Sequence, residues 1–396
     1  MEISIKKNMH YYCSKPCWQL DKTEPAIFNK LIANDATILD VLNIHRFDER
    51  CPYLEDLLPM ESDSLFRPKG SNRAFYLKLN SGAVIAIKGA EVVSNAIENA
   101  MEKNSKEQIG SRPWTKFENF IYREQKSPLA LHFNEAEEDQ SKALKFQKLM
   151  ISKFSDFESA PIPLFTYKFS DEIRNNYFSI ISKYLSKRAL EIISPPLEKY
   201  GLGIAIYYYP HTPKRIAFEA INSNISIKKR IQYFKNLQEN SFDPFSSIEK
   251  LLLIVAKMLL CEIMPLSRES HGIGQCIAKQ NVTLFGGITD MGSIIDFSEI
   301  SSESEFFQLY FSCISVLTST IREFLTLGQT SYLFEFDDPT PNAIIISNYC
   351  VNRIRSYCYQ ISKEYNFRLS KKIEDLIKLS CESSRDGFYK LLSELY

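Results

Sequence analysis

Hydrophobic and polar positions alternate most regularly between residues 74 and 91, AFYLKLNSGAVIAIKGAE. Phe75, Leu77 and Leu79 are interleaved with Tyr76 and Lys78, the period of two that marks a half-buried strand. Asn80-Ser81-Gly82 is turn chemistry, and Ala83 to Ile87 is a second strand rich in β-branched residues, so a hairpin is predicted with Lys88 at its end. A strand is also predicted at LFTYKF (164–169), and a pair at Ile204–Tyr209 and Arg215–Ile221 around Pro210-His211-Thr212-Pro213.

Elsewhere the pattern is helical: Pro25–Leu42, Val93–Lys103, Arg112–Gln125, Ala136–Phe154, and Asp171–Ile193 closed by Ser194-Pro195-Pro196. Ser246 to Met264 is apolar on nearly every face, which predicts a central buried helix stopped by Pro265. Three more helical stretches, 306–327, 342–365 and 371–395, follow Phe297.

The candidate chemistry begins just after the apolar helix, at HGIGQCIAKQNVTLFGGITDMGSIIDF, His271 to Phe297. A polar loop with Gln275 and Asn281 leads into a β-rich run, Val282–Thr289, which ends at Asp290-Met291-Gly292. An amide and a carboxylate flanking a short hairpin can hold one magnesium ion, and phosphate chemistry needs such a cation to neutralise developing charge. Asp290 is the candidate carboxylate, and Asn281 or Gln275 the amide. Asn281 lies nine residues before Asp290, which requires a tight connection. Gln275 lies fifteen before it, which allows a strand Cys276–Lys279, a Gln280-Asn281 turn and a returning strand Val282–Thr289. The shorter spacing and the rarity of glutamine as a magnesium ligand favour Asn281. Lys88 is either a solvated strand end or an inward ammonium for phosphate. His211, Lys214 and Arg215 suit an anionic substrate or an exposed polar turn.

Together AIK, ending at Lys88, and NVTLFGGITDMG resemble the protein-kinase superfamily. The order of hairpin, lysine, helix, possible hinge, long helix, His-Gly, Asn and Asp-x-Gly is similar as well. Within that superfamily the motifs look like two atypical branches: the selenoprotein O pseudokinases, and the kinase-like half of the template-independent siderophore synthetases. The resemblance covers about 50 of 396 residues. It implies an α+β, bilobal kinase-like fold with a β-rich N-lobe and a mainly helical C-lobe. Residues 1–65 are then an N-terminal extension, 66–215 the N-lobe with helical insertions, and 216–396 the C-lobe. It further implies ATP and Mg2+ as cofactors. Lys88 grips phosphates, Glu98 or Glu118 pairs it, and His271 organises the loop by bonding backbone. Asp290 with Asn281 or Gln275 holds the metal. Glu118 is favoured over Glu98 because Phe117, Phe120 and Ile121 give its helix a face to bury. The Pro210–Pro213 turn falls near the hinge.

The chain departs from the kinase pattern in two ways. Lys69-Gly70, in KGSNR, is the only candidate phosphate loop and carries one glycine. Ile273 stands where a catalytic loop carries its Asp, and no carboxylate lies between His271 and Asn281, so the usual base for a hydroxyl proton is missing. The expectation is therefore phosphoryl or adenylyl transfer to an already ionised acceptor, such as a small carboxylic acid. The alternative is a non-catalytic pseudokinase that binds protein.

Acids and bases balance at 48 each, which argues against a nucleic-acid partner. A hydrophobic content of 44%, with 13% aromatic residues, can supply a sizeable core. Nine scattered cysteines read as buried thiols of a reducing compartment; Cys13 and Cys17 lack the second pair that a zinc site needs. The basic start MEISIKK shows no apolar core of a signal peptide, and Leu251–Met264 is interrupted by Lys257 and Glu262, so a cytoplasmic protein without a membrane span is expected. No Walker loop, His-Glu-x-x-His, Gly-x-Ser-x-Gly or dinucleotide fingerprint occurs.

Overall fold

The computed structural model describes residues 11–13, 65–66, 74–78, 84–89, 92, 97–98, 101–102, 115–154, 160–169, 171–209, 213–216, 244–266, 275–328 and 339–382. The architecture is α+β. Two compact units are formed, one by Met1–Leu144 and Ile162–Thr212, the other by Lys145–Pro161 and Pro213–Tyr396.

The first unit is organised by an antiparallel sheet of six strands: Tyr11–Cys13 (β1), Leu65–Phe66 (β2), Ala74–Lys78 (β3), Val84–Lys88 (β4), Ile162–Phe169 (β5) and Gly203–Tyr209 (β6). Their order is β1-β5-β6-β4-β3-β2. β3 and β4 are the hairpin that alternation predicts, in register from Ala74 opposite Lys88 to Lys78 opposite Val84. β4 is flanked on its other side by β6, Lys88 facing Ala205. A strand paired on both edges carries few polar side chains, and Val84 to Ile87 are accordingly buried. Gly89 then leaves the strand at φ 96°, where a Cβ would stand 2.5 Å from the Gly203 carbonyl oxygen. Only glycine fits there.

Helices Lys116–Glu124 (α1), Phe133–Phe154 (α2) as far as Leu144, Asp171–Ile181 (α3) and Lys187–Tyr200 (α4) accompany the sheet. α1 opens with a capping box between Thr115 and Glu118. α2 buries Ala136, Gln140, Ala143, Gln147 and Met150, the stripe of an amphipathic helix, and Gln140 Nε2 donates to the Ile206 carbonyl at 2.7 Å. The single helix expected over Asp171–Ile193 is two. Residues 182–186 turn, Ser186 caps Ala189, and Pro195 and Pro196 lie inside α4 instead of ending it. Ala189, Ile193 and Leu197 form one buried stripe through the prolines, and that packing offsets a helix penalty of about 3 kcal/mol per proline.

In the second unit Pro244–Leu260 (α5) is the core: Leu251, Leu252, Ile254, Val255, Met258 and Leu259 are all at 0% exposure. α5 ends earlier than expected, at a left-handed Glu262 (φ 59°), and Ile263–Met264 (β7) pairs with Ile295–Asp296 (β8). Glu303–Gly328 (α6), Pro339–Glu364 (α7) and Lys371–Glu382 (α8) complete the unit. α5 and α7 are clamped by Glu249, which accepts from Arg353 Nε at 3.1 Å, from Arg353 Nη2, from Tyr357 at 2.5 Å and from Tyr349. Cys261, Cys276, Cys313, Cys350 and Cys358 are buried thiols. Among the described residues no helix is long and apolar enough to cross a membrane.

Candidate functional site

Lys88 closes β4 and meets Asp139 of α2 in an ion pair whose two side chains are each 18% exposed. That degree of burial sets it apart from the solvated surface pairs that contribute little. A half-desolvated ammonium held by a carboxylate in a fixed helix is a rigid, preorganised cation. The acids expected to meet it are engaged elsewhere. Glu118 accepts from the main-chain N–H of Thr115 at 3.2 Å and of Ser186 at 3.1 Å, joining the starts of α1 and α4. Burial pushes its carboxyl upward, but the bonds from Ser186 and Thr115 outweigh this and hold it below the usual carboxylate range. Its role is a cap. Glu98 takes Lys183 at 2.8 Å. Asp139 was concealed by its setting in the acidic run EAEED, which reads as a solvated helix face.

In the second unit the hairpin is the short one. Val282 bridges Ile288, with Thr283 N donating to the Gly287 carbonyl at 2.8 Å and Thr289 N to the Asn281 carbonyl at 2.7 Å. The strand that the longer spacing allows at Cys276–Lys279 is instead a pair of turns, closed by Ala278 N on the Gln275 carbonyl at 3.0 Å and Asn281 N on the Ala278 carbonyl at 2.7 Å. Four apolar-leaning residues are too few to separate strand from buried turn by pattern. The turn's polar groups are satisfied from α6: Thr320 donates to the Ile277 carbonyl at 2.8 Å, and Lys279 pairs with Glu323.

Asn281 and Asp290 therefore stand at the open end of one hairpin, Asn281 opening the first strand and Asp290 following the second. Asn281 Nδ2 donates to the Gln275 carbonyl at 3.0 Å, which fixes the amide. Its Oδ1 accepts no hydrogen bond from the described residues. Asp290 receives Gly292 N at 3.1 Å on Oδ1. Gln275, 1% exposed, enters this arrangement through its main-chain carbonyl. A carboxylate and an amide oxygen are hard donors suited to Mg2+, which binds through one or two carboxylates and completes its shell with phosphate and water. No cluster of three His, Cys, Asp or Glu forms a metal centre among the described residues. Cys276 is no nucleophile: burial, and next the charge of Asp290, push its thiol far up.

The expected hairpin of Ile204–Tyr209 with Arg215–Ile221 is not formed. β6 pairs with β4 and β5, whereas Arg215 bridges Thr283. Lys69, Gly70, His211 and His271, with the Pro25–Leu42 stretch and Cys17, lie outside the described residues. No protein-family model matches the chain, and no curated protein matches its sequence.

Proposed function

We propose that the chain is an ATP- and magnesium-dependent transferase of kinase-like fold, with a β-rich N-lobe and a helical C-lobe. The observation that supports this most is the Lys88–Asp139 pair. A lysine at the end of an interior strand, entered through a hairpin and held by an acid from a helix further along the chain, is similar to the arrangement in which kinases present an ammonium to phosphates, although here α1 intervenes between β4 and the helix that carries the acid. In this reading Lys88 binds nucleotide phosphates with Asp139 as its positioning residue. Asn281 and Asp290 hold Mg2+, which supplies neutralisation of the phosphate oxygens.

The chemistry of the loop argues for the acceptor class. Its described residues, Gln275 to Asn281, contain no carboxylate, and Lys279 is paired with Glu323. A hydroxyl acceptor requires a base, whereas a carboxylate or phosphate attacks as it stands. The acceptor is accordingly an ionised small molecule, and the transferred group phosphoryl or adenylyl. Incubation with ATP, Mg2+ and mixed carboxylic acids, followed by nucleotide analysis, tests this. ADP identifies phosphoryl transfer, and AMP with pyrophosphate adenylyl transfer. Tight nucleotide binding with no turnover would instead favour a binding-only pseudokinase.

A further inference from the structure

An isolated antiparallel bridge pairs Arg215 with Thr283, on the outer edge of the Asn281–Thr289 hairpin. Leu284 N donates to the Lys214 carbonyl at 2.7 Å and Ile216 N to the Val282 carbonyl at 2.9 Å. These bonds flank Arg215 and Thr283 on both sides, so the two form a non-hydrogen-bonded antiparallel pair, the type that brings side chains closest. By alternation Val282, Leu284 and Ile288 share the other face of the hairpin, and all three are at 0–1% exposure. Arg215, Thr283 and Asn281 fall on the polar face.

Thr283 is 9% exposed, and its Oγ1 accepts from Gly287 N at 2.9 Å. Its hydroxyl proton is donated to no described residue. A threonine hydroxyl has one donor, and an arginine presents five in a planar fork. The bridge thus sets a nearly buried O–H donor directly across from an arginine, with Asn281 on the same face.

We propose that Arg215 and Thr283 form an anion subsite that binds a phosphate or carboxylate group. This deepens the transferase reading, in which the anion is either the nucleotide's phosphate chain or the acceptor's carboxylate. Lys214 carries the same charge but alternates to the opposite side and is exposed, which makes it an internal control.

Calorimetric titration of inorganic pyrophosphate, ATP, adenosine and succinate into the wild type, Arg215→Ala, Arg215→Lys, Thr283→Val and Lys214→Ala tests the proposal. Loss of a charge-assisted bond should weaken anion binding by about 10-fold or more in Arg215→Ala. Arg215→Lys, which keeps charge without the fork, and Thr283→Val should each lose less, while adenosine affinity and the Lys214→Ala affinities stay unchanged. Loss confined to pyrophosphate and ATP identifies the phosphate chain, and loss confined to succinate the acceptor. Equal loss in Lys214→Ala, equal affinities in wild type and Arg215→Ala, or no anion binding by the wild type would overturn the subsite. Pyrophosphate held through Arg215 without any ATP binding would overturn the nucleotide reading and leave the subsite standing.

Discussion

Gly286→Ala should destabilise the second unit and spoil the candidate metal loop together. Gly286 turns the hairpin at φ 75°, and an added Cβ would sit 2.2 Å from the Ser247 carbonyl oxygen and 3.2 Å from Leu251 N, on a main-chain bond of α5. Left-handed backbone costs an L-residue about 1–2 kcal/mol. The turn must also retreat from α5, which gives up the 2.6 Å bond from Ser247 Oγ to the Leu284 carbonyl, about 1 kcal/mol. Loosened burial of Leu284, 1% exposed, adds about 1 kcal/mol. The sum is about 3–4 kcal/mol. Urea unfolding of Gly286→Ala beside Ser247→Ala separates the contributions, since the serine variant loses the hydrogen bond, about 1 kcal/mol, without the clash. A Gly286→Ala loss no larger than that of Ser247→Ala would refute the clash, and with it the docking of this turn on α5.

Asp139→Asn should leave folding cooperative and weaken ATP binding at least as much as a conservative change at Glu118; the reverse ranking in a binding titration would return Glu118 to the lysine. Alanine at Asn281 should abolish the magnesium dependence of nucleotide binding, whereas Gln275→Ala, which keeps the main-chain carbonyl, should retain it; the opposite result in paired thermal shifts would select the longer spacing. Glu249 gives a pH signature. Burial raises its carboxyl, yet the bonds from Arg353, Tyr349 and Tyr357 outweigh this and draw it from 4.5 to about 2. The folded state therefore holds the ionised form more tightly, so its contribution is complete above pH 4.5 and is lost as pH falls toward about 2. The shift corresponds to at most about 3 kcal/mol, reduced by partial exposure to about 1–2 kcal/mol. The stability gap between wild type and Glu249→Gln should thus close on acidification, and a gap constant from pH 7 to 3 would contradict the assignment.

The first hairpin was legible because alternation, turn residues and β-branching all agree over residues 74–88, and such local signals need no knowledge of partners. The Asn281–Asp290 connection was half legible: the shorter spacing suggested a tight hairpin, but a strand at Cys276–Lys279 with the longer spacing stayed open. What holds that run as a turn is Thr320 of α6, a contact at long sequence distance that no local pattern encodes. Arg215 shows the same limit. Its bridge to Thr283 was not visible, because periodicity names no neighbour, and the strand expected from Arg215 gives way to a helical Ile216. Asp139 was hidden because an acid beside a buried stripe and an acid in water look alike until the helix is docked. The prolines of α4 misled in the other direction, through a local penalty that tertiary packing overrides.

The central claim is that the chain binds ATP with Mg2+, with Lys88 as a phosphate ligand and Asp290 as a metal ligand. Calorimetric titration of ATP with and without Mg2+ into the wild type, Lys88→Ala, Asp290→Asn and the double variant tests it most directly. Wild type should bind ATP more tightly with Mg2+; Lys88→Ala should weaken binding by about 10-fold or more, as for loss of a charged hydrogen bond, and Asp290→Asn should remove the magnesium effect. The double variant should show both losses. Binding that is independent of magnesium and unchanged in all three variants, or no binding by the wild type, would contradict the account.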